Sequence, residues 1–537
     1  MPRVKSTKSL KEICFHFILK NPEFFCKTFR LEDGGRMEDG KNALDSDLVN
    51  PINQLPTVLL EELMQITREK KIRNEFLKAT LLKSLLFLEQ QMTNNLRTLD
   101  LTIVKRGTDV SDILHLATIK SPNLETLLLD YFTCQLANFS FIPKFTKLRI
   151  LDISFPKTDD DCFLLIGKHC PDLREFHAKL GKVTDHGIRN LCVTGNCKSI
   201  RKLNLENCNK ITIKGIQLAL DNLPQLRTLC HECLLEGLAE IAQSATDQNL
   251  DLPQYSLSTL YVLYHTVYKS GSLRQSVLLC PNVTEVYLYI RQEGFKDTDL
   301  LSLLLLEKLY TIAITHAVYE PIHGAEIRIY GGLTFDGVVP LLKKFGNILK
   351  RIKFGEFLVV DIPTIFKFCL NLESLTLCFS KTTQSTETEV ERPILRNLKT
   401  LIVSCSTISS ENLVALLSSP SLVYVSMRSC DALNDNVFYR AANLHSFCNL
   451  EHLHISWCHS VTKNGIEIFL EESNPLREIV LHCREDLGSR ITREDVANWN
   501  ETAIWIKKNW RFNFILQSSC RNIFLGGYKW ERRRGEF

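Results

Sequence analysis

Cys230-His231-Glu232-Cys233 carries the C-x2-C spacing at which two thiolates begin a zinc site. A closed tetrahedral site needs a second ligand pair, and none follows at the usual interval, so Cys230 reads better as a small apolar core residue. His452, His454, His459 and His482 are a second concentration of donors, brought together if the segments carrying them stack. A metal there would want a carboxylate to fix the imidazoles, and none is evident beside them, so a polar binding surface is the better expectation. The chain has no phosphate-cradling glycine loop, no G-x-S-x-G elbow and no H-E-x-x-H helix. None of its 19 cysteines sits in a recognisable setting with a base. The expectation is therefore a non-enzymatic protein that works by binding, without cofactor or metal.

Charge narrows the partner. Lys and Arg number 65 against 61 Asp and Glu, a formal net charge of +4. That is too weak a field to argue for nucleic acid or an anionic membrane, which leaves a protein partner. The cysteines are scattered and fit reduced thiols. Lys5, Lys8 and Lys11 precede the apolar Ile13 to Leu19 in the manner of a signal peptide, but Glu12 and His16 interrupt the run and no small-residue cleavage site follows. Leu300 to Leu306 falls far short of the ~18 apolar residues of a spanning helix. A cytoplasmic and/or nuclear location is expected.

The elements that would position any binding residue are repeats. The phrase L-x-x-L-x-L recurs at Leu96-Leu99-Leu101, Leu124-Leu127-Leu129, Leu148-Leu151-Ile153, Ile200-Leu203-Leu205, Leu372-Leu375-Leu377, Leu398-Leu401-Val403, Leu450-Leu453-Ile455 and Leu476-Ile479-Leu481. Weaker copies fill the gaps, and successive first positions are mostly 23 to 31 residues apart, with one step of 40 between Leu309 and Leu349. This is the period of a leucine-rich repeat, in which each unit supplies a short parallel strand and a returning helix and no unit folds alone. Some units add a cysteine after the strand and a Thr ahead of a Gly-Ile pair, as in Asn207-Cys208 with Thr212 to Ile216, Trp457-Cys458 with Thr462 to Ile466, and Thr184 to Ile188. The Thr reads as a helix cap. Three parts are expected: a helical module over 1–92, repeats over 93–487, and a C-terminal cap with a basic tail over 488–537.

These repeats resemble the cysteine-containing leucine-rich repeats of F-box/LRR proteins and of the Zyg-eleven and Zer proteins. The resemblance implies an α/β solenoid, a ribonuclease-inhibitor-like horseshoe with parallel strands on the concave side and helices on the convex side. Ahead of them, Ser9 and Glu12 read as a capping box, and Leu10, Ile13, Cys14, Phe17 and Ile18 share one helix face. The spacing Ser9-Leu10-x3-Cys14-x3-Ile18 resembles the elongin-binding box of von Hippel-Lindau-box proteins, and Leu55-Pro56-x2-Leu59 resembles the cullin-selecting box that follows it. The resemblance implies a substrate receptor of a cullin-RING ubiquitin ligase, docked on elongin B/C through a helix-in-groove contact. The Leu55 to Leu63 stretch also resembles the opening of an F-box, which would bind the Skp adaptor and its cullin instead. A third alternative is a scaffold that binds protein without degradation. No long armadillo-type region follows the repeats, so the substrate class is not carried over.

Strand alternation names the row that would meet a protein substrate. It comprises the residues before, between and after the last two apolar positions of each phrase: Glu175, His177 and Lys179; Lys202, Asn204 and Glu206; Thr259, Tyr261 and Leu263; Glu285, Tyr287 and Tyr289; Arg351, Lys353 and Gly355; Tyr424, Ser426 and Arg428; His452, His454 and Ser456. Because Tyr and Arg are enriched at binding hot spots, Tyr261, Tyr287, Tyr289, Arg351, Lys353, Tyr424 and Arg428 are the expected contacts. The span from Thr315 to Leu349, with Gly331-Gly332, is expected to form an inserted loop. The Trp-rich segment from Ile491 is expected to cover the last repeat, and Lys529 to Arg534 to be a solvated basic tail.

Overall fold

The structure is a computed structural model and describes residues 92–103, 108–130, 134–135, 139–263, 268–290, 294–316, 333–382, 394–445, 447–470, 475–484, 491–505 and 511–517, with 14, 56, 58–59 and 61–63 ahead of them. The chain divides into two compact units, Met1–Gly237 and Leu238–Phe537. Numbering only the strands of the repeat ladder, the first unit holds β1 (Thr98–Asp100), β2 (Thr126–Asp130), β3 (Ile150–Ser154), β4 (Glu175–His177), β5 (Lys202–Asn204) and β6 (Thr228–Cys230). The second holds β7 (Thr259–Leu263), β8 (Glu285–Ile290), β9 (Thr311–His316), β10 (Arg351–Gly355), β11 (Ser374–Cys378), β12 (Thr400–Ser404), β13 (Tyr424–Arg428), β14 (His452–Ser456), β15 (Glu478–Arg484) and β16 (Arg511–Gln517). The ladder thus runs one strand past Leu481, into the segment expected as a cap.

Within each unit every ladder pairing is parallel and in one register. In the first, Leu99, Leu127, Leu151, Phe176, Leu203 and Leu229 stack in sequence. In the second the same stack runs through Leu260, Val286, Ile312, Ile352, Leu375, Leu401, Val425, Leu453 and Ile479. All of these are buried at 0–2% exposure, and each contributes about 1.5–3 kcal/mol. Helices such as Asp160–His169, Asp185–Cys192 and Ile213–Asn222 return the chain between strands, each burying one apolar face.

Two devices repeat with the strands. The first clips one helix start to the next. Asp160, Asp185, Asp297 and Asp435 each open a helix, and each carboxylate accepts from the backbone N–H and the hydroxyl of the Thr that caps the following one: Thr184, Thr212, Thr334 and Thr462, at 2.7–2.8 Å and 2.5–2.7 Å. Three residues after each Thr stands a glycine, because a Cβ on Gly187, Gly215, Gly337 or Gly465 would collide with that same Asp Oδ1. The T-x-x-G signal in the sequence is therefore a helix cap and a socket for the preceding repeat's carboxylate.

The second device turns the chain out of the strand. Leu180, Asn207, Glu356, Phe379, Cys405, Ser429 and Trp457 have φ of 48–65°, and each lies two residues past the last apolar position of its phrase. Only asparagine suits this left-handed region, so the others cost about 1–2 kcal/mol apiece. In return the N–H groups of Leu180, Glu356, Phe379, Cys405, Ser429 and Trp457 bond carbonyls of the next repeat at 2.7–2.9 Å.

Candidate binding face of the strand ladder

The apolar stack faces the helices, so alternate strand residues leave on the opposite face. In the second unit they form three rows along the register. The first contains Glu285, Thr311, Arg351, Tyr424, His452 and Glu478, the second Tyr261, Tyr287, Lys353, Ser426 and His454, and the third Tyr289, Gly355, Arg428, Ser456 and His482.

Five of the expected contacts come together at one end. The Tyr261 ring lies 5.7 Å from that of Tyr287 and 5.6 Å from that of Tyr289, and Lys353 Nζ sits 5.7 Å from the Tyr289 ring centre. Arg351 holds Glu285 at 2.5 Å and donates to Thr311 Oγ1 at 3.0 Å. Tyr287 departs from expectation: it is only 4% exposed, its hydroxyl donates to Glu285 Oε2 at 3.1 Å, and burial followed by the Glu285 charge pushes its phenol up. A six-residue strand flanked by large rings on the same face explains this, so Tyr287 supports its neighbours and is not itself an open contact.

Tyr424 and Arg428 belong to a separate cluster three strands on. The Tyr424 hydroxyl meets His454 Nδ1 at 3.1 Å, while His452 Nδ1 and His454 Nε2 approach Glu478 Oε2 at 3.3 and 3.8 Å. Glu478, buried at 6% exposure, is the carboxylate that was not evident from spacing. Applying the strand rule to the phrase Leu476-Ile479-Leu481 would have named it. Among the described residues no group of three or more His, Cys, Asp or Glu is arranged to hold a metal. Arg428 Cζ lies 4.6 Å from the centre of the ring of Trp457, itself one of the left-handed residues. Ser456 Oγ contacts His482 Nδ1 at 3.2 Å, and burial, then His454 and Arg428, bring the His482 imidazole down to about 4.

In the first unit several residues of the strand rows pair with one another. Lys179 bridges Glu206 at 2.9 Å, His177 lies 4.0 Å from Glu175, and the hydrogen bond from His177 holds the Glu175 carboxyl below its ordinary range. Lys202 is half-buried and Asn204 buried. The Cys230–Cys233 spacing has a structural explanation. Cys230 is core at 4% exposure, and His231 uses both ring nitrogens internally, Nε2 toward the Cys208 carbonyl at 3.3 Å and Nδ1 accepting from the Cys233 N–H at 3.1 Å.

Of the expected adaptor contacts, Cys14 is helical and exposed, Pro56 exposed and Leu59 half-buried. Leu10, Ile13, Phe17, Ile18 and Leu55 lie outside the described residues, as do the Gly331-Gly332 insertion and the 529–534 tail. The Pro56 segment is seated on the first repeat: Leu63 is fully buried, and Thr98 Oγ1 in β1 donates to Glu61 Oε1 at 3.2 Å, while Val58 is 71% exposed. Among the described residues no helix is long and apolar enough to cross a membrane.

The repeated phrase, the parallel register and the returning helices define an α/β leucine-rich-repeat solenoid. No protein-family profile matches the chain, and no curated protein matches it. Solved structures similar to it include the yeast complex of Rad7 and Elc1 (14% identity, 86% of this chain and 96% of that chain, TM-score 0.40). They also include an internalin of Listeria monocytogenes (14%, 88% and 98%, TM-score 0.28) and a leucine-rich-repeat protein of Leptospira interrogans (15%, 86% and 100%, TM-score 0.31).

Proposed function

We propose that the chain is the substrate-recognition subunit of a cullin-RING E3 ubiquitin ligase, acting in the cytoplasm and/or nucleus. It takes a protein segment on the strand face of the second unit and an adaptor on the helices ahead of the first repeat. It performs no chemistry itself; ubiquitin transfer falls to its partners. The observation that carries the reading is the order of segments: an elongin-type box at Leu10 to Ile18, then Leu55-Pro56-x2-Leu59, then repeats. The placement of the second segment supports it. Glu61 ties that segment to Thr98 of β1 and Leu63 is buried, while Pro56 and Val58 are exposed for a partner.

The test is affinity capture of the full chain from cells with mass spectrometry, beside a Leu10→Ser/Cys14→Asp variant and a Leu55→Ser/Pro56→Ala variant. Recovery of elongins B and C with a cullin, lost in the first variant, is the expected result. Recovery of the Skp adaptor, lost only in the second, moves the assignment to an F-box receptor. Absence of both adaptors from wild type leaves a protein-binding scaffold.

A further inference from the structure

The residue that enters each strand forms a row of its own. In the first unit this row runs Arg97, Glu125, Arg149, Arg174, Arg201 and Arg227, each after the first donating its backbone N–H to the carbonyl of the one before at 2.7–2.8 Å. Arg149, Arg174, Arg201 and Arg227 immediately precede Ile150, Glu175, Lys202 and Thr228, which pair in sequence, so the four stand at one register position. In the second unit the same position carries Lys350, Glu373, Lys399, Val423, Glu451 and Arg477.

Other cations of this row have a carboxylate one strand away. Glu125 lies 3.9 Å from Arg97 and 3.1 Å from Arg149, Glu373 lies 3.1 Å from Lys350 and 2.9 Å from Lys399, and Glu451 lies 3.3 Å from Arg477. Arg174, Arg201 and Arg227 break the pattern, because each has arginine as its neighbour in the row. All three are exposed, and among the described residues none makes an ion pair. Arg201 Nε donates only to the neutral Gln225 Oε1, at 3.4 Å. Like charges at one strand spacing repel, and an anion laid along them relieves the repulsion.

The surroundings add charge of the same sign. The entry segments 146–149, 170–174, 197–201 and 223–227 add Lys147 and Lys198 to the four arginines, against the single carboxylate of Asp172. Both lysines donate to neutral acceptors, Lys147 to Asn123 Oδ1 and Lys198 to the Cys192 and Asn222 carbonyls. Glu175, next to Arg174, pairs with His177. Single-stranded nucleic acid is held by cations together with aromatic rings for the bases, and these four segments contain no aromatic residue. A guanidinium fork matches a carboxylate as it does a phosphate. Three cations over two strand steps of ~4.8 Å occupy about 10 Å, the length of about three extended residues at ~3.4 Å each.

We infer that the Arg174-Arg201-Arg227 run is a docking surface for an acidic segment of a partner protein, a cluster of three or four successive Asp or Glu residues. It lies in the first unit and is separate from the strand face of the second, so it adds a contact to the proposed function and does not depend on it.

The probes are fluorescein-labelled ten-residue peptides on a Gly/Ser background with four consecutive Glu or four consecutive Lys, and a labelled five-nucleotide oligothymidine, whose four phosphates carry a matching charge. Fluorescence anisotropy with the full chain is expected to show binding of the Glu peptide that weakens as salt rises. Arg174→Glu/Arg227→Glu should weaken it by about tenfold or more, and Arg477→Glu, at the same row position in the second unit, should leave it unchanged. The triple reversal Arg174→Glu/Arg201→Glu/Arg227→Glu should bind the Lys peptide instead, a gain that misfolding cannot produce. No binding of the Glu peptide, or binding indifferent to the reversals in the run, overturns the proposal. An equal loss in Arg477→Glu overturns it as well, by reducing the effect to overall charge. Tighter binding of the oligothymidine than of the Glu peptide, lost in the same variants, would reassign the surface to nucleic acid.

Discussion

Gly465→Ala and Asp435→Ala are each destabilising alone, and the second should largely erase the cost of the first. A Cβ on Gly465 would occupy the place of Asp435 Oδ1, with Asp435 Cγ only 3.1 Å away. That carboxylate accepts from the Thr462 N–H at 2.8 Å and its hydroxyl at 2.5 Å. The alanine must either displace it or open the junction between two repeats. Hydrogen bonds to a charged group are worth about 1.5–3 kcal/mol net, and Thr462 is partly open to water, so Asp435→Ala is set at about 2–3 kcal/mol. Gly465→Ala is set at a similar figure, because it breaks the same clip sterically and recovers at most about 1 kcal/mol of helix propensity. In the double variant the obstruction is gone and only the propensity gain remains. Its loss should therefore be about 1–2 kcal/mol, against a sum of about 4–6, a coupling well beyond the ~0.5 kcal/mol of independent sites. The assay is urea unfolding of the four proteins, with hydrogen exchange over 452–470 as a local readout, since a repeat array need not unfold in one step. Additive losses would refute the argument that glycine is there to admit the carboxylate.

Two further outcomes follow from buried groups. His482 is held neutral with a pKa near 4 against an ordinary 6.5, so the unfolded chain binds the extra proton first. Its contribution is intact above about pH 6.5 and is lost as pH falls toward 4. Across that window His482→Gln should show a pH slope of stability shallower than wild type, by about 1–3 kcal/mol in total, and parallel slopes would refute the assignment. Burial pushes the thiols of Cys170, Cys208, Cys230 and Cys458 up to about 12, whereas Cys14 and Cys448 are exposed. A thiol reagent followed by peptide mapping should label the exposed pair within the mixing time and the other four only at the rate of unfolding.

The ladder was legible because its cause is periodic: a leucine every few positions, repeated in register, leaves few other folds. The T-x-x-G caps at Thr184, Thr212 and Thr462 were equally visible, but their partner was not. The Asp that each Thr grips lies 24 to 27 residues earlier, a distance at which sequence spacing says nothing about contact. The binding face shows the same division. Alternation placed Tyr261, Lys353 and Arg428 on the open side, yet it treats all positions on a face alike and so put Tyr287 with them. Whether a ring is open or covered depends on the rings beside it across the ladder. Glu478 is reached by the same alternation in the last phrase, Leu476-Ile479-Leu481, where it stands opposite His452.

That division also bears on how a surface of this kind changes its partner. The groups that hold the repeats together, the leucine stack and the Asp-Thr clips, point to the helix side or lie at the helix starts. The left-handed residues join the ladder through backbone N–H groups, so their side chains are spared from that task. Trp457 illustrates the consequence: its N–H secures β14 to β15 through the His482 carbonyl at 2.9 Å, while its indole serves Arg428. A substitution at Ser426 touches neither the stack nor the clips, so it should alter binding with little effect on stability, within about 0.5 kcal/mol. Recognition in this solenoid is thereby separable from folding, residue by residue along the strands.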